Sequence, residues 1–530
     1  MPWRPGGCYP APVHRAAAVT RKPESIVALA AFGLAALAAA WIVRPIHVGM
    51  LGYDAAASVL YFQRLLAGTT LEAFTGATPK ALLTGVYGLA YSLVPDWRVI
   101  SWLAIAAYAG GIACSAVLAY RLSGIVAAAF VVVGLVGSAE LLRDVDLAYA
   151  VSWALLCWAI AGLLVTASRP RFAWAGIVLA VGGLARYETL ILVGLAGLAL
   201  LGGAALARAQ GRPMTSLRAR APILLGLLAL PIQALHDWLL TGDPLYASNV
   251  PVIGSAGLPL VGVSGALRAI GNHYAAEPVL IALAVLGLAT LVLRARWEIA
   301  GGLVALALGV MAFIVFLAIR RIYISDRYIA PADIALTFAA AIGLGSLRVP
   351  PLEVPFRGRL PRNGLVTVAA IVGSVTALAV VRPFGPLDRT TRSAITVNAA
   401  VHRDIALVVP DLRRELADVP GVRAWPTDSS PTGAMGARSI LLAPVLTVPQ
   451  LAVELGLPLS SISGTVGASI TTDGTYPRPG QLVFHQVDRD QPPAAFTLFE
   501  VDRATTVGHI TVDPLLVDAA HRFWLVRIGP

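Results

Sequence analysis

The sequence predicts an all-α polytopic membrane domain of about eleven transmembrane helices, followed by a soluble C-terminal domain of α/β or α+β type. The 530 residues are 57% apolar and only 13% charged, with a mean hydropathy of +0.76, which is too apolar for a soluble protein of this length. Apolar stretches long enough to cross a bilayer recur as far as Val381. From Arg382 onward Asp, Arg, Pro and Thr increase, and short apolar or alternating runs indicate strands.

The apolar stretches set the predicted domain boundaries. A cytoplasmic tail covers residues 1–25, the transmembrane domain covers 26–381 with a first outer loop at 44–97, and an extracytoplasmic domain covers 382–530. The predicted spans are Ile26 to Val43, Val99 to Tyr120, Gly124 to Ala139, Leu147 to Ala167, Phe172 to Ala185, Thr189 to Ala207, Pro222 to Leu240, Pro278 to Leu293, Ile299 to Ile319, Ile329 to Leu347 and Leu365 to Val381.

The arginines indicate the orientation of the chain. They cluster in alternate loops, as at Arg169 and Arg171, which is the positive-inside pattern if Ala81 to Pro95 lies on the membrane surface rather than crossing it. The same count requires a bend at Arg186-Tyr187-Glu188, which divides a long apolar stretch into two short helices. We therefore expect a multi-pass protein of the bacterial cytoplasmic membrane, with the N-terminus inside and the C-terminal domain outside.

Charge and cysteine content exclude two other classes of protein. The formal charge of +11 suggests nucleic-acid binding in a soluble chain, but these arginines lie in short clusters between apolar spans, so we expect no nucleic-acid partner. The three cysteines include Cys114 and Cys157 inside apolar spans, so neither a disulfide framework nor a zinc site is predicted.

The first outer loop carries an acidic and a basic residue that flank one segment. Tyr53-Asp54 opens this segment, and Thr78-Pro79-Lys80 closes it. Lys80 and Lys22 are the only lysines in the chain. A carboxylate and an ammonium are the groups that sugar transfer from a lipid phosphate needs, as a base for the acceptor hydroxyl and a cation for the leaving phosphate. The alternatives are that Lys80 stands by chance at a helix start and that Asp54 only caps a helix.

Ala55 to Gly68 has amphipathic spacing, which predicts a helix lying in the membrane interface and holding Asp54 at the surface. Further ionisable residues gather at the outer ends of the predicted spans. Charges at a membrane edge are costly unless they are paired or line a wet cavity, so this grouping predicts a site. The alternative is that charges simply gather in loops. The candidates in this group are Asp144, Asp146, Arg186, Glu188, His236, Asp237, Arg320, Arg321 and Arg327.

Together these motifs resemble the GT-C superfamily of membrane glycosyltransferases. Tyr53-Asp54 with Leu60-Tyr61 is similar to the acidic first-loop motif of the family, and Thr78-Pro79-Lys80 is similar to its following lysine-proline stretch. The segments Gly183 to Glu188 and Arg327 to Pro331 are similar to its outer turn and its late Arg-Tyr-x-x-Pro motif. This chain departs from the family in having Ala55 after Asp54 and in placing Pro79 before Lys80.

The resemblance implies a role for each residue. Asp54 would be the catalytic base, assisted by Asp146 or Asp144, while Lys80 and Arg327 would hold the lipid phosphate. The predicted catalytic residues are thus Asp54 and Asp146, and the predicted substrate-binding residues are Tyr53, Lys80, Asp144, Arg186, Glu188, His236, Asp237, Arg327 and Tyr328.

The expected activity is inverting transfer of a sugar from a polyprenyl-phosphate donor to a glycan, lipid or protein acceptor on the outer face of the membrane. Membrane lipids are further expected partners. No cofactor or metal is expected, with a divalent metal at Asp54 and Asp146 left open. The alternative is a transporter or a scaffold whose outer domain binds the cell envelope. A transporter is disfavoured because the charges sit at one face and no repeated halves are evident.

Overall fold

In a computed structural model, the described residues are 21–42, 53–71, 78–210, 213–249, 262–275, 278–322, 328–346, 409–410, 412–414, 441–444, 448–455, 462–466, 470–471, 482–486, 512–517 and 523–528. The helices of the N-terminal part are α1 (Arg21–Ile42), α2 (Tyr53–Ala67), α3 (Ala81–Leu93), α4 (Trp97–Ser123), α5 (Ile125–Val136), α6 (Ala139–Asp146), α7 (Val151–Val165), α8 (Phe172–Ala185), α9 (Glu188–Ala209), α10 (Thr215–Arg220), a 3-10 helix (Ala221–Leu228), α11 (Ala229–Thr241), α12 (Val263–Ala275), α13 (Pro278–Leu293), α14 (Trp297–Ile319) and α15 (Ala330–Ser346).

The predicted spans agree with this order of helices. Each of the first ten coincides with an apolar helix or helix pair, and the eleventh, Leu365 to Val381, lies outside the described residues. By length and composition, five helices in the described ranges can cross a membrane alone, or seven if each bent pair counts as one span. The predicted bend is confirmed, because α8 ends at Ala185 and α9 begins at Glu188. The chain is therefore a multi-pass helical membrane protein.

The core is built around α4, which is buried along most of its length and packs against α1, α5 and α7. Helices α13 and α15 approach each other more closely than most pairs. A Cβ atom added at Gly287 would lie 1.8 Å from the carbonyl oxygen of Ala339, and one added at Gly343 would lie 2.1 Å from that of Leu283. Small residues allow membrane helices to pack at this distance, so both positions require glycine.

The first-loop helix α2 forms where its amphipathic pattern predicts it, but its apolar side contacts protein. Ala57 and Tyr61 are fully buried and pack with Leu240 of α11, while Ala55 and Ala56 pack against α3 and α4. The apolar side of α2 is therefore covered by other helices, and the position of α2 in the membrane interface stays a prediction. The sequence pattern shows that one side is apolar, and it does not show whether lipid or another helix covers that side.

The described C-terminal residues contain a six-stranded sheet, a helix, and further helical residues at 409–410 and 412–414. The strands are β1 (Leu441–Pro444), β2 (Ile462–Val466), β3 (Ile470–Thr471), β4 (Leu482–Gln486), β5 (Val512–Val517) and β6 (Phe523–Ile528), in the order β3-β2-β1-β4-β6-β5. Strand β1 is parallel to β2 and β4, and the other pairs are antiparallel. Helix α16 (Val448–Leu455) packs against α2, so the C-terminal part contacts the helix that carries Asp54.

Candidate active site

Asp54 and Lys80 form the centre of the candidate site. Asp54 lies in the first turn of α2, and Lys80 directly precedes α3 in an extended conformation. The Lys80 Nζ atom donates a hydrogen bond of 2.9 Å to Asp54 Oδ2, and the two side chains are 18% and 11% exposed. The structure thus brings together the two residues that the sequence places at the ends of one loop segment, in a partly desolvated ion pair.

Gln233 of α11 fixes the backbone on both sides of Lys80. Its Oε1 atom accepts a hydrogen bond of 3.1 Å from the Ala81 N–H, and its Nε2 atom donates one of 3.1 Å to the Pro79 carbonyl oxygen. The same Nε2 atom lies 2.7 Å from Asp237 Oδ1. Gln233 is buried and was not among the predicted site residues. Its one sequence signal is its position three and four residues before His236 and Asp237, which places all three on one side of a helix.

His236 and Asp237 extend this network. The Asp237 carboxylate is nearly fully buried, and its Oδ2 atom accepts a hydrogen bond of 2.9 Å from the Ala247 N–H. His236 Nδ1 lies 3.3 Å from Asp237 Oδ1. Among the residues with described positions, His236 Nε2 finds no hydrogen-bond partner although it is buried. A buried nitrogen of this kind can serve a bound ligand or an ordered water.

The turn between α8 and α9 contributes a second ion pair. Arg186 binds Glu188 through two contacts, at 2.5 Å and 3.1 Å, and both side chains are buried. Lys80 lies close enough to Glu188 for the two charges to interact, so this pair borders the Asp54–Lys80 pair. Between them in sequence, Tyr187 is half-buried, and its hydroxyl oxygen is fully buried near the Asp237 and Glu188 carboxylates. Burial, followed by these two charges, raises the pKa of Tyr187, so its hydroxyl stays protonated.

The predicted acidic residues of α6 are buried beside the same region. Asp144 and Asp146 lie in the last turns of α6, and the turn that follows is tight, with Ala148 at a φ of 51°. The Tyr87 hydroxyl of α3 donates to the Ala148 carbonyl oxygen at 3.1 Å, and Ala148 packs in the same cluster as Ala55. The α6–α7 turn is therefore held against the helix that carries Asp54.

The remaining predicted site residues are Tyr53, Tyr328 and Arg327. Tyr53 is the first residue of α2. Tyr328 packs with its ring 6.1 Å from that of Phe313, in a cluster formed by α12, α14 and α15 rather than in the cluster around Ala55. Arg327 lies outside the described residues, and its role in phosphate binding stays a prediction.

These features define the fold class of the protein. An all-helical membrane domain, with a first-loop Asp–Lys pair at one end of its helices, has the architecture predicted from the resemblance to the GT-C superfamily. That resemblance is confirmed at the level of the fold by comparison with solved structures.

The particular structures are those of ArnT from Cupriavidus metallidurans. The apo form and the form bound to undecaprenyl phosphate each align with 95% of this chain and 97% of their own, at 15% identity and a TM-score of 0.50. The archaeal oligosaccharyltransferase AglB from Archaeoglobus fulgidus, in complex with an inhibitory peptide and a dolichol-phosphate, aligns with 82% of this chain and 64% of its own, at 11% identity and a TM-score of 0.46. No protein-family model and no curated protein sequence matches the chain.

Proposed function

We propose that the protein is a membrane glycosyltransferase that moves a sugar from a polyprenyl-phosphate donor to an acceptor hydroxyl at the outer face of the bacterial cytoplasmic membrane. The observation that carries this proposal is the 2.9 Å contact between Lys80 Nζ and Asp54 Oδ2 in a partly desolvated site. Further support comes from the overall likeness to ArnT, a structure of which holds undecaprenyl phosphate.

The two residues divide the reaction between them. Asp54 accepts the proton of the acceptor hydroxyl while the acceptor oxygen forms a bond to the anomeric carbon. The bond from that carbon to the phosphate oxygen breaks, and the phosphate leaves with the electron pair. Lys80, with Arg327 as a second predicted cation, stabilises the negative charge on the leaving phosphate. A single displacement of this kind inverts the anomeric carbon.

The Asp54–Lys80 ion pair makes donor binding precede proton transfer. Before substrate binds, Lys80 neutralises Asp54, which weakens the carboxylate as a base. A lipid phosphate that draws Lys80 to itself releases Asp54 beside the anomeric carbon, so the base becomes active only when the donor is in place. The neighbouring Glu188 is held by Arg186, so it does not compete for the same lysine as strongly as an unpaired carboxylate.

This scheme assigns no step to a metal. A divalent cation held by Asp54 and Asp146 is the alternative that the sequence left open. Transfer that continues after treatment with a chelator supports the metal-free scheme, whereas transfer that stops and returns on adding Mg²⁺ or Mn²⁺ assigns those carboxylates to a metal.

The experiment that tests the function is complementation of a deletion strain, followed by analysis of its polyprenyl-linked lipids. We expect the deletion to accumulate a polyprenyl-phosphate sugar, and the wild-type gene to remove it. Asp54→Asn should fail to remove it because the amide cannot accept the proton, with a loss of transfer of at least about 100-fold.

Asp96→Asn is the matched control, since Asp96 is an exposed carboxylate that caps α4 and an amide can accept the same hydrogen bond from the Arg98 N–H. Both variants should reach wild-type amounts in the membrane. Full complementation by Asp54→Asn removes Asp54 from the mechanism. An unchanged lipid pool in the deletion strain overturns the enzyme proposal and favours a transporter or scaffold.

A further inference from the structure

A cavity lies among the helices, and its lining includes neither Asp54 nor Lys80. It has a volume of about 420 Å³ and is lined by residues of α4, α7, α8, α9, α10, the 3-10 helix, α14 and α15. Its walls are apolar, formed by side chains such as Leu118, Leu155, Leu195 and Phe338. A cavity of this character does not hold water well, because water there would find few hydrogen-bond partners.

The cavity reaches the end of the helices opposite the candidate active site, and we call the lining residues at that end its mouth. Phe172 at the start of α8 and Trp297 at the start of α14 both line it. Helix α8 runs from Phe172 to Ala185, next to the Arg186–Glu188 pair, and its 14 residues span about 21 Å. The mouth and the active site are thus separated by most of the thickness of a bilayer core.

Charge is concentrated at this mouth. Arg220 and Glu298 are the ionisable residues in the described lining, and they bind each other at 2.8 Å with side chains 43% and 33% exposed. The lining residues Phe172, Leu217 and Trp297 are each adjacent in sequence to an exposed arginine, namely Arg171, Arg218 and Arg296. Arginine therefore outweighs glutamate at the mouth, and the Trp297 ring is well exposed there, as is common at a membrane–water interface.

We propose that this cavity binds one acyl chain of an anionic phospholipid from the leaflet opposite the active site, with the phospholipid headgroup held by Arg220 and its neighbouring arginines. An apolar cavity among membrane helices needs an apolar occupant, because walls that face empty space lose their dispersion contacts. Basic pockets between membrane helices recognise anionic headgroups. The positive mouth and the apolar interior match the two parts of such a lipid.

The occupant is separate from the sugar donor in this proposal. A donor phosphate bound at Lys80 lies at the other end of α8, whereas the arginine-rich mouth faces the leaflet away from that site. The lipid bound here fills the space between α8, α9, α14 and α15. It therefore supports α8 and α9, which adjoin the Arg186–Glu188 pair, at the ends of these helices that are distant from the active site.

Native mass spectrometry of the purified full-length protein tests this proposal. The probes are dioleoyl phosphatidylglycerol, dioleoyl phosphatidylcholine and undecaprenyl phosphate, each added alone and in competition. We expect one phosphatidylglycerol to remain bound, in preference to phosphatidylcholine. Gly302→Phe should reduce this binding about tenfold, because Gly302 lines the cavity and has open space beside it for a side chain.

Gly194→Phe is the matched control. Gly194 also lies in a membrane helix with open space around an added Cβ, but it is not part of the cavity lining, so binding should stay at the wild-type level. Ala199→Phe, which fills the cavity from α9, repeats the test if Gly302→Phe folds poorly. Arg220→Gln should reduce the preference for phosphatidylglycerol over phosphatidylcholine about fivefold, because it removes a headgroup charge contact.

Three results overturn the proposal. One is that both cavity-filling variants keep the bound phosphatidylglycerol. Another is that wild-type protein binds the two phospholipids equally. The third is that undecaprenyl phosphate displaces the phospholipid and is itself lost in the cavity-filling variants, which assigns the cavity to the donor tail.

Discussion

At the end of the helix bundle where α8 gives way to α9, charged side chains are buried and bonded to one another, whereas at the opposite end they are more exposed. The side chains of Arg186 and Glu188 are 7% and 4% exposed, and those of Arg121 and Glu24, at the other end, are 34% and 24% exposed. Both pairs have good geometry, with hydrogen bonds from two guanidinium nitrogens. The two pairs differ in burial rather than in hydrogen-bond geometry.

This difference in burial shows which charged side chains have a large desolvation cost. Removing two charges from water is unfavourable unless pairing and hydrogen bonds compensate, and a buried pair is weak evidence for stability alone. The exposed pairs have little desolvation cost and little net value. Buried charge is concentrated beside Asp54 and Lys80, which is the reason for placing the reaction there rather than at the arginine-rich end.

The largest effect on stability is expected from breaking the buried pair. Glu188→Ala leaves the Arg186 guanidinium buried without its carboxylate, which should reduce the free energy of unfolding by about 3–5 kcal/mol. Thermal unfolding of the purified protein in detergent measures this loss. Glu24→Ala is the matched control at the exposed pair and should unfold close to wild type. Equal losses in the two variants would show that burial does not distinguish the two ends.

A smaller loss in the free energy of unfolding is expected from substitution of Gln233. Gln233→Leu removes the partners of the Ala81 N–H and the Pro79 carbonyl oxygen, which should cost about 2 kcal/mol. It should also lower transfer by up to about 100-fold, because these contacts fix the backbone on which Lys80 stands. Gln210→Leu, at the exposed end of α9, is the control. Wild-type transfer by Gln233→Leu would show that Lys80 is positioned without this contact.

Gln233 also shows how far the sequence predicts the site. The Asp54–Lys80 contact could be predicted because both residues flank one segment and their charges are opposite. Gln233 reaches Pro79 from 154 positions away, and an amide in an apolar helix gives no charge signal. The fold divides in the same way into predictable and unpredictable parts. Apolar stretches locate the helices and the bend at Tyr187. The packing of α11 and α16 against α2 depends on contacts between segments distant in sequence, which these stretches do not predict.

The contact between the C-terminal part and the membrane domain should contribute less than the buried pair. Trp97, at the start of α4, donates from Nε1 to Glu454 of α16, and Val453 packs against the cluster around Ala55. Trp97→Phe keeps an aromatic ring but removes the Nε1 donor, so a loss of about 1.5 kcal/mol is expected. Faster proteolytic release of the C-terminal part should accompany it.

Trp102→Phe is the control for this contact, because Trp102 lies on the same helix with its ring exposed. Release at the same rate in both variants would mean that the Trp97–Glu454 hydrogen bond does not hold α16 in place. Helix α16 packs on α2, the helix that carries Asp54. Trp97→Phe should therefore lower transfer activity to the extent that the packing of α16 holds α2 in place.

The smallest effect is expected at the exposed pair. Arg121→Gln should change the free energy of unfolding by less than about 1 kcal/mol, because the charges remain solvated with or without each other. What little effect there is should decrease as salt is raised from 0.01 M to about 1 M, since exposed charges are screened. Thermal unfolding at several salt concentrations measures both quantities. A loss as large as that of Glu188→Ala, unchanged by salt, would mean that the arginine-rich end also contains effectively buried charge. Buried charge would then give no physical reason to place the reaction at the other end.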